Sequence, residues 1–342
     1  MTAVTSAEAT EAETAAPLRA GLLGVGMMGR HHARVLREVP GVELVGIADP
    51  GGDPHGVAGT LPILPDIQAL IDTGIDLAVV AVPTRFHEDA ALALAEAGVH
   101  TLVEKPIAHT VEAGQRMVDA FAAKGLVGAV GHVERFNPAL LELRRRIAAG
   151  DLGQIYQIAT RRQGPFPSRI ADVGVGKDLA SHDIDLTAWV ADSTYTTVFG
   201  QVALKSGRPH EDMVLASGRL ANGIIVNHVV NWLSPMKERV TIVTGEKGTL
   251  LADTSTGDLT LYDNATFPLE WESVTAFRGV SEGDVTRFAI PKREPLRVEH
   301  EAFRDAILGV PSDVVTMEQG LRTLAVVEGV LESAASGQAV SF

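Results

Sequence analysis

There is no cysteine in the 342-residue chain, so a disulfide framework, a thiolate-held metal and a cysteine nucleophile are excluded. A reducing compartment is consistent with that absence. Positive charge is scarce too: 29 Lys and Arg face 43 Asp and Glu, a formal balance of −14. This disfavours nucleic acid and anionic membranes as general partners, while a local basic pocket can still take an anionic substrate. No apolar run approaches the ~20 residues of a membrane span. Residues 1–16, mostly Ala, Thr and Glu, lack the positive start and apolar middle of a signal peptide. They read as a disordered tail, and the expected location is cytoplasmic.

Hydrophobic residues make up 46% of the chain, ample for packed cores, and the length points to two domains. From residue 17 strands and helices alternate. Leu18–Leu23 is a strand candidate, and Gly24-Val25-Gly26-Met27-Met28-Gly29 follows it. A helix then runs to about Arg37, and Val42–Ala48 is a second strand closed by Asp49. This is the strand, G-x-G-x-x-G, helix, strand, acid order of a dinucleotide-binding βαβ unit. The glycines let backbone N–H groups approach a pyrophosphate, which the helix N-terminus also attracts. Asp49 stands where a carboxylate meets ribose hydroxyls and repels a ribose phosphate, which favours NAD over NADP.

Alternation continues through a helix at 66–72, a strand at 76–82, a helix at 86–97 and a strand at 99–103. A helix at 111–124 and a strand at 126–131 complete a parallel, doubly wound sheet over 17–131. Ligands gather at the carboxyl ends of such strands. Pro83, Thr84, His87 and the tripeptide Glu104-Lys105-Pro106 stand there, although His87 fits a packed helix start equally well. The Lys-Pro bond is one that can be cis.

After Gly131 the grammar changes. Helices are expected at 136–149 and 178–191, flanking a strand at 154–163 and a Gly/Pro loop. Strands at 198–204, 214–220, 224–232, 240–244, 249–252 and 259–261 then follow at hairpin spacing, and helices at 299–308 and 317–336 close the chain. Residues 132–342 are therefore expected to form an α+β domain with a large, mostly antiparallel open sheet. Within it Asp178, His182 and Asp185 share one face of a helix. A histidine held by carboxylates suits a general base, its unperturbed pKa being roughly 6.5. The same trio can ligate a metal, or Asp178 can cap the helix while His182 packs. The residues alone leave these readings open. Arg144-Arg145-Arg146 reads as a solvated basic face.

Three motifs together, Gly24-x-Gly26-x-x-Gly29-Arg30-x-His32, Pro83-Thr84-x-x-His87 and Ala97-Gly98-x-His100-x-Leu102-x-Glu104-Lys105-Pro106, resemble the Gfo/Idh/MocA family (glucose-fructose oxidoreductase, inositol dehydrogenase, rhizopine catabolism). The likeness runs from about Leu18 to Phe342. It implies that Lys105 reaches the substrate beside the nicotinamide, with Glu104 and Pro106 shaping the cofactor side. It also implies that Gly24, Gly26, Met27, Met28, Gly29, Asp49, Pro83, Thr84, His87, Glu104 and Lys105 hold NAD. Asp178 and His182 would serve catalysis without metal, and Asp185 more weakly.

A narrower likeness is to nucleotide-sugar 3-dehydrogenases of the UDP-N-acetylglucosamine type. It is carried by Gly131-His132-Val133-Glu134-Arg135-Phe136-Asn137-Pro138, Arg161-x-x-Gly164-Pro165 and Asp172-Val173-Gly174-Val175. It places Arg135, Arg161, Arg169, Lys177 and Asp185 at the substrate, with Arg161, Arg162, Arg169 and Lys177 able to neutralise a diphosphate. The expected function is NAD-dependent oxidation of a secondary sugar hydroxyl, at carbon 3 of a UDP-N-acetylhexosamine-type nucleotide sugar, by a homodimer or homotetramer. Oxidation of inositol or a free sugar, and NAD sensing without chemistry, are the alternatives.

Overall fold

The computed structural model describes residues 16–167, 173–265 and 282–342. The expected tail, save Ala16, lies outside the described residues, as does Arg169. The first unit runs β1 (Leu18–Leu23), α1 (Met27–Glu38), β2 (Val42–Ala48), β3 (Ile63–Leu64), α2 (Ile67–Ile71), β4 (Leu77–Val80), α3 (His87–Glu96), β5 (His100–Glu104), α4 (Val111–Lys124) and β6 (Gly128–Gly131). Its strands are parallel, in the order β3-β2-β1-β4-β5-β6. Strand order reverses between β1 and β4, the crevice where such sheets bind ligands. Every residue of β4 is buried, as expected for a strand covered on both faces.

The second unit runs α5 (Pro138–Ala148), β7 (Ile155–Pro165), α6 (Ser181–Val190), β8 (Tyr195–Ala203), β9 (Met213–Leu220), β10 (Ile225–Asn231), β11 (Leu233–Gly245), β12 (Gly248–Asp253), β13 (Asp258–Asn264), β14 (Glu282–Arg287), α7 (Pro295–Ile307), α8 (Met317–Ser336) and β15 (Val340–Ser341). Its sheet is ordered β14-β13-β12-β11-β7-β10-β9-β8-β15, and β7 with β10 is the parallel pair. Along β7, Ile158, Thr160, Arg162 and Gly164 are buried while Arg161 between them is exposed. One face therefore meets helices, and the other shows Phe199, Leu215, Ile225 and Tyr262 to solvent.

Local chemistry explains where the elements depart from the expected bounds. The strand expected from Leu126 begins at Gly128, because Gly125 closes α4 in the left-handed region (φ 63°) and the Leu126 N–H bonds back to Phe121 O. The helix expected from Phe136 begins at Pro138, capped by the Asn137 side chain, which accepts from Ala139 N at 3.1 Å. The short strands β3 and β15 and the strand β14 were not anticipated.

The last two helices return to the first sheet. Phe303 of α7 is buried with Leu22, Leu36 and Ile47, and Met317, Leu321 and Leu324 of α8 pack with Met117 and Val130. Farther along α8, Val326, Val327 and Val330 join the core of the second unit. One helix thus supports both sheets. Its start is held by a capping box between Thr316 and Gln319. A Cβ at Gly320 would lie 2.6 Å from Val130 Cγ2. Gly320→Val is therefore expected to cost about 1–3 kcal/mol from overpacking, against a helix-propensity gain of roughly 0.4 kcal/mol. A thermal melt that fails to move downward would contradict this packing.

Candidate active site

The glycine loop joins β1 to α1. Gly24 has φ +96°, and a Cβ there would come within 2.7 Å of Ala81 O, so the turn requires glycine. At Gly29 a Cβ would stand 2.0 Å from Gly24 O, so helix and loop approach through the missing side chain. Around Gly26 there is open space. The N-terminus of α1 has no side-chain cap and no acid in its first turn, leaving orphan N–H groups to meet a diphosphate. Asp49 accepts from Val25 N at 2.9 Å and from Gly51 N at 2.8 Å, which ties the end of β2 to the loop. These residues fit an NAD dinucleotide.

Two neighbouring strand ends are joined by His87. Its ring, 1% exposed, lies 2.9 Å from Val82 O and 3.0 Å from Pro106 O. Burial lowers its pKa although both carbonyls favour the protonated ring, which lies between the loops after β4 and β5. The Lys105–Pro106 bond is cis. Glu104 accepts from its neighbour Lys105 N at 3.1 Å and pairs with His32 Nε2 at 2.7 Å. His32 Nδ1 continues to His300 Nε2 of α7 at 2.8 Å. Burial opposes ionisation of Glu104, but His32 and Lys105 outweigh it and hold its pKa below the ordinary range.

Across the cleft the chain forms a π turn at Gly176–Ala180 before α6 begins. Such turns recur at functional sites because they reset the side chains that follow. Asp178 lies inside this turn and is not the helix N-cap. Lys105 Nζ donates to Asp178 O at 2.7 Å and to Oδ1 at 2.9 Å. His182 follows one turn later, with Nδ1 buried and unpartnered among the described residues. Burial, then the positive charges of Lys105 and Arg162, hold the His182 pKa well below 6.5. The ring is neutral at neutral pH and can accept a proton.

Of the expected trio Asp178, His182 and Asp185, Asp178 meets Lys105 and Asp185 meets Arg135, while His182 Nδ1 has no partner among the described residues. Asp185 faces Arg135, which donates from Nε and Nη2 at 2.7 Å each, and Thr323 adds a third hydrogen bond at 3.1 Å. Both members of the ion pair are buried, and the third Arg135 donor goes to Gln319 at 2.9 Å. Among the described residues no group of three or more His, Asp or Glu side chains is arranged to hold a metal.

The expected basic cluster is also divided. Arg161 lies on the exposed face of β7 and pairs with Glu238 at 2.7 Å. Arg162 is buried on the other face, where it pairs with Asp183 and Glu134. Burial raises the Asp183 pKa to about 6 against the pull of Arg162. Lys177 donates to His109 O at 2.9 Å and to Glu328 at 3.1 Å. Sequence reasoning gave no role to His32, His300, Glu134, Asp183 or Arg239. His32 and Glu134 carried a signal, since each stands inside a motif that carries the family resemblance. A separate cavity of about 600 Å³ beside α6, lined by Arg135, Trp189, Tyr195 and Phe342, contains none of Lys105, Asp178 and His182.

Comparison with known proteins follows the same outline. Residues 18–132 match a family model described as an oxidoreductase family with an NAD-binding Rossmann fold, and residues 140–251 match the GFO/IDH/MocA C-terminal domain. The chain is 33% identical over 193 residues to scyllo-inositol 2-dehydrogenase (NAD(+)) of Bacillus subtilis, covering 54% of this chain and 56% of that protein. It is 32% identical over 213 residues to UDP-N-acetylglucosamine 3-dehydrogenase of Acidithiobacillus ferrooxidans, covering 61% and 66%. Each match thus spans less than two thirds of the relative's length. The solved structure of that second enzyme superimposes with a TM-score of 0.80 at 26% identity, covering 93% of this chain and 98% of the other.

Two outcomes are expected from this geometry. Asp185→Asn leaves buried Arg135 without its counter-charge and should cost about 3–5 kcal/mol in a denaturation experiment. Lys105→Met removes the nearest positive charge from His182, so the imidazole pKa followed by NMR should rise. A His182 that titrates at or above 6.5 in the unaltered protein would contradict the electrostatics described.

Proposed function

The chain belongs to the Gfo/Idh/MocA family of NAD-binding oxidoreductases, and from that premise we propose that it oxidises carbon 3 of a UDP-N-acetylhexosamine-type nucleotide sugar. The observation that carries this reading is the pairing of Lys105, at the carboxyl end of β5, with Asp178, one turn before His182, whose pKa the Lys105 charge lowers. The fold shared over nearly the whole chain with a UDP-N-acetylglucosamine 3-dehydrogenase supports the substrate class.

NAD, when bound, supplies the hydride acceptor. The glycine loop and the α1 N-terminus hold its diphosphate, and Asp49 meets the ribose hydroxyls. His182 Nε2 accepts the proton of the reacting hydroxyl, a role that requires the neutral ring. Lys105 has three N–H donors and spends two on Asp178, so the third points to the developing alkoxide without breaking the pair. Asp178 sets the direction of that donor. Self-association through the open face with Phe199, Leu215, Ile225 and Tyr262 is part of the same proposal, as is a cytoplasmic location.

Polyol oxidation is the second reading, favoured by the 33% identity to an inositol dehydrogenase. A panel of UDP-N-acetylglucosamine and myo-inositol, read by nicotinamide absorbance, separates the two. We expect His182→Asn to lower kcat about 10²–10⁴-fold with a smaller effect on KM. Wild-type turnover in that variant would remove the base assignment, and faster oxidation of myo-inositol would shift the substrate to polyols. Tight NAD binding without turnover on any sugar or polyol would instead indicate a sensor.

A further inference from the structure

Arg239 of β11 lies directly opposite Arg162 of β7 in the antiparallel register. Directly opposed residues point to the same side of a sheet, and here that is the helix-covered side on which Arg162 is buried. Arg162 is neutralised there, because Asp183 accepts from its Nε at 3.1 Å and Glu134 from its Nη1 at 2.9 Å. Arg239 lies in the field of Glu134, Asp183 and Asp178 but bonds none of them. Among the described residues its guanidinium makes no hydrogen bond or ion pair, and its Nη1 is buried without a partner. Like charges directly opposite on neighbouring strands repel, and an unpaired cation withdrawn from water adds a further cost.

The guanidinium stays cationic in proteins, so its unmet donors cannot be relieved by losing a proton. Glu134 and Asp183 both bond Arg162, and Asp178 bonds Lys105. The charges of the cluster balance, two guanidinium groups against Glu134 and Asp183, but the hydrogen bonds all go to Arg162 and the Arg239 fork is left without one. Arg239 also acts on the catalytic enclosure, since its charge is one of those that depress the His182 pKa.

We propose that Arg239 is a substrate-binding residue that takes an anionic oxygen, carboxylate or phosphoryl, carried by the sugar near the hydroxyl being oxidised. This rests on the sugar-dehydrogenase reading and narrows its substrates to anionic ones. The two sources share oxygen geometry that a guanidinium fork matches, and matched ligands tell them apart.

Calorimetric titration of the NADH-loaded protein tests the proposal without relying on turnover. Three pairs serve as ligands: UDP-N-acetylglucosaminuronate with UDP-N-acetylglucosamine, glucuronate with glucose, and glucose 1-phosphate with glucose. The unaltered protein should prefer the charged member of at least one pair by about tenfold or more, the least that a hydrogen bond to a charged group contributes. Arg239→Gln should bring that ratio close to one, and Arg239→Lys should keep part of it. A uronate preference identifies a sugar carboxylate, whereas a preference confined to the phosphate pair identifies a phosphoryl group. The proposal is overturned if no pair shows an Arg239-dependent ratio while the variants keep their melting temperature and NADH affinity. It is equally overturned if the variants lose stability but keep the ratio, which would make Arg239 a shield for Glu134. Should Arg239→Gln fail to fold, Arg239→Lys decides alone, a full wild-type ratio counting against the proposal. If no UDP-sugar binds but the free-sugar acids show the ratio, the nucleotide-sugar reading fails and the Arg239 assignment stands.

Discussion

Two hydrogen bonds from one ammonium, Lys105 Nζ to Asp178 O and Oδ1, join the two sheets at the point where chemistry is possible. Lysine at the end of β5 is positioned by the parallel pairing of β5 with β4 and β6. Asp178 is positioned by the π turn ahead of α6. A free lysine side chain carries up to about 2 kcal/mol of rotamer entropy, and the pair removes that freedom before any substrate arrives. Burial first, and then the same charge, lower the His182 pKa.

The helix that carries His182 is pinned from both sides by buried ions. Asp183 bonds Arg162 of β7, and Asp185 bonds Arg135 before α5, so the helix that carries the histidine has little room to turn. Buried ion pairs contribute little net stability once desolvation is counted, but losing either partner is costly. Their role here is orientation. A parallel arrangement lies under Lys105, where Glu104, His32 and His300 form a hydrogen-bonded chain from β5 through α1 to α7. Glu299, next along α7, is buried with both carboxylate oxygens unpartnered among the described residues, and burial raises its pKa well above the ordinary carboxylate range.

Much of the fold was legible because its signals are local. Continuous apolar strands such as Leu77–Val80 and alternating ones such as Ile155–Pro165 declare whether one face or two will be covered. The glycine loop was legible because steric demands at Gly24 and Gly29 act within a few residues. Element bounds slipped where a cap decided them, as at Gly125 and Asn137. The site was less legible. Asp178, His182 and Asp185 have helical spacing, yet the π turn and the pull of Lys105 and Arg135 send the two carboxylates to different partners. Arg161 and Arg162 are neighbours in sequence and lie on opposite faces of a sheet, so a basic cluster in the text is no cluster in space.

The sequence by itself determined the two sheets, the dinucleotide loop and the presence of a lysine and a histidine suited to proton and hydride chemistry. Those features follow from periodicity and from residues close together in the chain. Only the tertiary structure decided which carboxylate meets which cation. Lys105 and Asp178, Arg135 and Asp185, and Arg162 and Asp183 are brought together by strand register, by the π turn and by the packing of α6. Arg239 illustrates the same rule from the other side. Its charge was plain in the sequence, but that it makes no hydrogen bond among the described residues follows from β11, which sets it opposite Arg162, the residue that Glu134 and Asp183 bond.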